Sequence, residues 1–169
     1  MKPIIFLIIL IQCSIFAQND KPCSAPETAQ FDFWVGEWIA EWSGENGKIE
    51  TGTNTVTKIL SGCAVQENFS TSDKTFIGTS LSVYSPKKKI WQQTWVDNSG
   101  AYLDFTGNMD GGKMILSRKG KDKDGNEIMQ RMVFYNITKE SFDWNWEAST
   151  DEGKTWELKW KINYKRKVS

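Results

Sequence analysis

The chain of 169 residues contains no histidine and no excess of either charge, with 21 Lys and Arg against 21 Asp and Glu. The first absence excludes a Ser-His-Asp or Cys-His nucleophile system, a His-Glu zinc site and haem attachment through a proximal His. No cofactor is therefore expected. The second argues against a nucleic-acid partner, because binding a polyanion by counterion release needs a basic excess. A window with a convincing helical period is also missing. The length suits one domain with a real core. In surplus are the aromatics: nine Trp, nine Phe and four Tyr.

The longest apolar run, Ile4 to Phe16, follows Lys2 and gives way at Ala17 to Gln18-Asn19-Asp20-Lys21. It is too short to cross a hydrocarbon core of ~30 Å and has the form of a cleavable export signal. The sequence thus predicts a signal peptide over 1–17, an N-terminal segment over 18–30 and a folded domain over 31–169. The mature chain is expected to be periplasmic or extracellular, without a stable membrane span. Of the three cysteines, Cys13 leaves with the signal. Cys23 and Cys63 remain as an even pair in an oxidising compartment, where a disulfide would tie the N-terminal segment to the domain.

From Gln30 onward the hydrophobic period is two. Short alternating runs are separated by turn residues such as Ser85-Pro86-Lys87, Asp97-Asn98-Ser99-Gly100 and Asp110-Gly111-Gly112. About ten strands are predicted, among them 49–60, 63–69, 76–84, 90–96, 128–137, 141–148 and 155–166. Only Pro26 to Trp34 has room for a helical turn or two, with Ser24 as its cap. Ten meandering strands with short loops are predicted to hide their edges by closing. The expected fold is all-β: a roughly ten-stranded antiparallel up-and-down barrel with a short N-terminal helical turn. A barrel of that size leaves room for a small ligand.

Two motifs refine this reading. Gly36-Glu37-Trp38 stands at the start of the first strand, and Trp160, Ile162, Tyr164 and Arg166 alternate along the last. Lipocalins and their calycin relatives carry a similar Gly-x-Trp, whose indole packs beneath a basic residue of the final strand; Arg166 is the candidate partner of Trp38. The second, Ser149 to Trp156, fits the Asp-box consensus Ser-x-Asp-x-Gly-x-Thr-Trp. A single copy leaves no room for propeller blades, so it reads as a hairpin. In it Asp151 accepts backbone N–H groups, Gly153 supplies a positive φ, and Trp156 packs under the loop.

Taken together, the segments 31–38, 61–68, 78–86, 91–97 and 146–156 resemble a family of secreted bacterial proteins of unknown function with a calycin-like barrel. The resemblance implies a lipocalin-like fold and brings no assigned activity or catalytic residues. The chain is also distantly similar to nitrobindin-type barrels, whose haem-holding histidine it lacks.

Candidate ligand residues are polar groups on otherwise apolar faces. Trp91, Gln93, Trp95 and Asp97 alternate on one strand, and Cys63, Val65, Glu67 and Phe69 on another. A buried Gln93 costs about 1–3 kcal/mol if unpaired, so its presence between indoles points to a lined space rather than a dry core. Arg131 is a candidate partner for Glu67. On 141–148, the apolar Phe142/Trp144/Trp146 face is expected inside. The predicted pocket is Glu67, Trp91, Gln93, Trp95, Arg131 and Trp146, holding a small hydrophobic or amphipathic molecule. Two other classes stay open: a carboxylate-dependent isomerase or cyclase using Glu67 or Asp97, and a carbohydrate-binding or structural envelope module with exposed Trp platforms.

Overall fold

Apolar side chains at every second position carry the chain through ten strands: β1 (Gly36–Ser43), β2 (Ile49–Ile59), β3 (Ala64–Thr71), β4 (Ile77–Ser85), β5 (Ile90–Asp97), β6 (Tyr102–Asp110), β7 (Lys113–Lys121), β8 (Glu127–Tyr135), β9 (Ser141–Ser149) and β10 (Glu157–Arg166). This is a computed structural model, which describes residues 23–44 and 47–168. The expected signal peptide, 1–17, lies outside the described residues. Each strand pairs antiparallel with its neighbours in sequence, and β1 also pairs β10, which closes the barrel. No sheet edge is left over. The architecture fits a calycin-like fold.

Hairpin turns follow local chemistry. Asp110 pairs Lys113 across Gly111-Gly112, both at positive φ (54° and 77°). That combination gives the mirror-image two-residue turn whose twist matches the strands it joins. Between β7 and β8, the Asp122 carboxylate accepts from the backbone N–H groups of Asp124 and Asn126. The last strand starts at Glu157 rather than Thr155, because Thr155 and Trp156 are taken up by the preceding turn. In that turn Asp151 accepts from the Thr155 N–H at 2.9 Å, and Trp156 Nε1 donates to the Gly153 carbonyl at 3.0 Å. Gly153 stands at φ 87°. The single Asp box is thus a hairpin.

One end of the barrel is plugged. Two 3-10 turns, Pro26–Ala29 and Asp32–Trp34, cross it. Ser24 does not cap the first; Ala25 precedes the helical Pro26, and the Thr28 hydroxyl donates to the carbonyls of Cys23 and Ala25 instead. Phe31 and Trp34 are buried, and Phe31 meets Trp91 edge-on with ring centroids 4.7 Å apart. The Cys23–Cys63 disulfide fastens this segment to the connection between β2 and β3. Trp38 and Arg166 are cross-strand partners, with the guanidinium 4.1 Å from the indole centroid. Arg166 also donates to the carbonyls of Val35 and Lys139. Gly36, at φ 138°, leaves the space for this packing: a Cβ there would strike the Arg166 guanidinium. Gly-x-Trp is thereby explained by sterics as well as by likeness.

Candidate ligand cavity

The interior is asymmetric because successive strands point very different side chains inward. From β4 come Gly78, Ser80 and Ser82, all small, with both serines buried. Any Cβ at Gly78 would collide with the Trp95 ring, so the glycine lets that indole lie against β4. Opposite, β8 to β10 present Met132, Phe134, Trp144, Trp146, Trp160 and Ile162. These bulky side chains border a cavity of about 230 Å³. Its lining adds Phe69 and Phe76 from β3 and its hairpin, Trp95 and Asp97 from β5, Leu103 and Phe105 from β6, with Glu67 and Tyr164. Ring packing fixes the aromatic side: Trp144 meets Trp160 edge-on at 5.8 Å, and Phe105 meets Trp146 at 5.8 Å.

Across β2 to β5 runs a buried polar seam of Asn54, Glu67, Ser80, Ser82 and Gln93. Cross-strand pairing of Glu67 with Ser80, and of Ser82 with Gln93, aligns it. Asn54 Nδ2 donates to Glu67 Oε1 at 2.7 Å, and the Ser80 hydroxyl donates to Oε2 at 2.8 Å. Burial pushes the Glu67 carboxyl up from 4.5 to about 7, against the lowering effect of those two donors. Tyr164 lies against Asn54 and within electrostatic reach of Glu67. Burial first, and the neighbouring carboxylate second, hold its phenol well above its usual range. Two acceptors in the seam, Asn54 Oδ1 and Gln93 Oε1, have no hydrogen-bond partner.

Asp97 behaves differently from Glu67. Partial burial raises it, but donors from the Ser99 hydroxyl, Trp95 Nε1 and the backbone N–H groups of Ser99 and Ala101 outweigh that and leave it below its ordinary value. It is an ionised residue of the lining, already engaged with its own loop.

Of the six predicted pocket residues, Glu67, Trp95 and Trp146 are brought together on the cavity wall. Trp91 is elsewhere: it belongs to the plugged end, donating from Nε1 to Gln30 at 3.0 Å. Gln93 lies in the seam, donating to the Ser82 hydroxyl at 2.9 Å, and is not part of the lining. Arg131 requires a correction. It sits on the outer face, donating to Glu147 at 2.6 Å with its guanidinium 3.9 Å over the Trp156 ring, so it does not meet Glu67. The cause is parity. In β8 Met129, Val133 and Tyr135 alternate with Met132 and Phe134, and a strand apolar on both faces gives no signal for which side turns inward. Trp144, Trp160, Phe105 and Tyr164 were absent from the predicted set; the inward Trp160/Ile162/Tyr164 row was the signal for two of them. The Ser80/Ser82 alternation marked the β4 part of the polar seam.

Eight of the nine tryptophans belong to the interior cluster or pack against it, and the ninth, Trp156, lies under its hairpin and Arg131. Flat exposed indole platforms, which the carbohydrate-module reading requires, are not found among the described residues. No described helix is long and apolar enough to cross a membrane. A comparison with protein-family models finds no match, and a comparison with the curated proteins finds none either.

Proposed function

We propose that the protein is an exported binding protein that holds a small hydrophobic or amphipathic molecule in the barrel cavity. The observation that carries this reading is the cavity of about 230 Å³ whose wall is mostly aromatic, with one buried carboxyl among its polar groups. Apolar walls provide affinity, and a few converging polar atoms fix orientation. The disulfide and the N-terminal apolar run support export. The motif resemblance to secreted calycin-like proteins agrees with it. The test uses the four indoles on the wall, Trp95, Trp144, Trp146 and Trp160. Apolar probes are expected to change their fluorescence saturably, and native mass spectrometry of protein from its own host is expected to show a bound small molecule. A flat response to every probe refutes the reading.

A second reading is favoured by one observation. Glu67 faces the cavity with its carboxyl pushed up to about 7, the value a general acid–base needs near neutral pH. Carbon-13 NMR titration of the Glu67 carboxyl tests it; a midpoint near 4.5 overturns it.

A further inference from the structure

The cavity wall carries two carboxyl groups, Glu67 and Asp97, and no basic group. Glu67 is 8% exposed, and its two oxygens accept from Asn54 and Ser80, both neutral donors. Among the described residues no cation pairs it. The inward Arg118 lies over the Phe105 ring, 5.9 Å from the centroid, donates to Gln130, keeps its Nε unpaired, and is not part of the wall. The hydrogen-bonding atoms left without partners in the seam beside Glu67 are acceptors, Asn54 Oδ1 and Gln93 Oε1. Trp95, Trp144, Trp146 and Trp160 line the same cavity as Glu67.

An anionic oxygen pair inside a ring of indoles is complementary to one class of small molecule. A carboxylate ligand would be repelled by Glu67 and would find no cation on the wall. A neutral ligand could donate a hydrogen bond to Glu67 but would gain no charge attraction from it. A protonated amine on an apolar body satisfies every element: its N–H donors meet the carboxylate, its charge is stabilised by the indole faces, and its hydrocarbon fills the remainder. We infer that the ligand is a small hydrophobic amine, bound as its ammonium ion with the nitrogen at Glu67 and the apolar body against the tryptophans.

The inference rests on the binding function proposed above and adds the chemical class. Between pH 5.5 and pH 8 its pH behaviour depends on Glu67, because Asp97, the other carboxyl of the wall, is held below its ordinary value and stays ionised. The groups facing it are Asn54 from β2, Ser80 from β4 and Tyr164 from β10; of these only Tyr164 titrates, and burial keeps it neutral across the accessible range.

The test compares three probes of nearly equal shape by tryptophan fluorescence titration: 2-phenylethylamine, 2-phenylethanol and phenylacetate. At pH 8 the amine is expected to bind at least about tenfold more tightly than the alcohol, and phenylacetate most weakly. That advantage is expected to disappear in E67Q. It is also expected to shrink in the unaltered protein between pH 8 and pH 5.5, a measurement independent of how the variant folds. Equal or better binding of the alcohol or of phenylacetate overturns the amine inference and leaves the binding function standing. So does an amine preference that survives in E67Q or is indifferent to pH. Failure of all three probes to bind counts against both.

Discussion

Replacing Glu67 with glutamine should change the pH dependence of stability more than stability itself. In the folded chain the carboxyl titrates at about 7, against an ordinary value of 4.5. Between those values the native state holds a proton that the unfolded chain has released, so stability falls as pH rises through the window. The contribution is complete below pH ~4.5 and gone above pH ~7. At ~1.4 kcal/mol per pH unit of difference, it spans roughly 3 kcal/mol. The amide introduced by E67Q would imitate the protonated acid. Its N–H reaches Asn54 once that side chain rotates to present Oδ1, the oxygen now without a partner. Urea denaturation of both proteins, followed by tryptophan fluorescence from pH 5 to pH 8, isolates the effect as a difference between curves. The other perturbed carboxylates, Asp73, Asp97, Asp122 and Asp151, are all shifted downward and titrate below this window. E67Q is expected to gain on the unaltered protein with rising pH, becoming the more stable of the two by pH 8. A difference that stays flat within about 0.5 kcal/mol, or slopes the other way, would show that Glu67 is not desolvated as described.

Other consequences concern the frame around the cavity. R166A removes the cation over Trp38 together with hydrogen bonds to Val35 and Lys139; a loss of about 2–3 kcal/mol in urea unfolding is expected, and R166K should recover little of it. Reducing the Cys23–Cys63 bond, which closes a separation of 40 residues, should lower stability by up to about 4 kcal/mol in the chain-entropy account, read as a shifted denaturation midpoint with and without reductant. D151A should lower the melting temperature at pH 7. Donors from Thr155 and Ser149 hold the Asp151 carboxyl down to about 2, so its stabilisation is present above the ordinary carboxylate range and lost as pH falls through about 2; the gap between variant and unaltered protein should close there.

The barrel was legible because its period is unambiguous over most strands. In β1, Trp38, Ala40 and Trp42 leave no doubt which face is inside. The charged and Gly-rich stretches between runs then place the turns. Gly36, Trp38 and Arg166 could be matched across the length of the domain because a cation over an indole demands one residue at each end of the meander. The cavity was less legible. A sequence shows parity within a strand but not register between strands, and the pocket depends on both. Arg131 was misplaced by a strand with two apolar faces. Trp91 has the right parity yet lies too near the plugged end, a distinction along the barrel axis that alternation cannot express. Asn54 gave no signal at all: the Thr-rich β2 alternates polar with polar, and only closure against Glu67 makes its position buried.

The stabilising devices gather at one end of the barrel. The disulfide, the Phe31–Trp34–Trp91 packing and the Arg166–Trp38 stack lie at the plugged end, where each fixes chain termini or connections. The seam that borders the cavity holds a buried carboxyl without a cation and two unpaired amide oxygens, while the unpaired Trp34 Nε1 lies at the plugged end. A core selected only for stability would replace Asn54, Glu67, Ser80 and Gln93 with apolar side chains and fill the cavity, since each unpaired buried acceptor costs about 1–3 kcal/mol. On β9 and β10 the indoles of Trp144 and Trp160 interlock edge to face, whereas the seam keeps polar side chains in the interior. Polar groups kept in the interior beside empty space are what the proposed binding function requires, since contact with a ligand would recover part of the stability they cost.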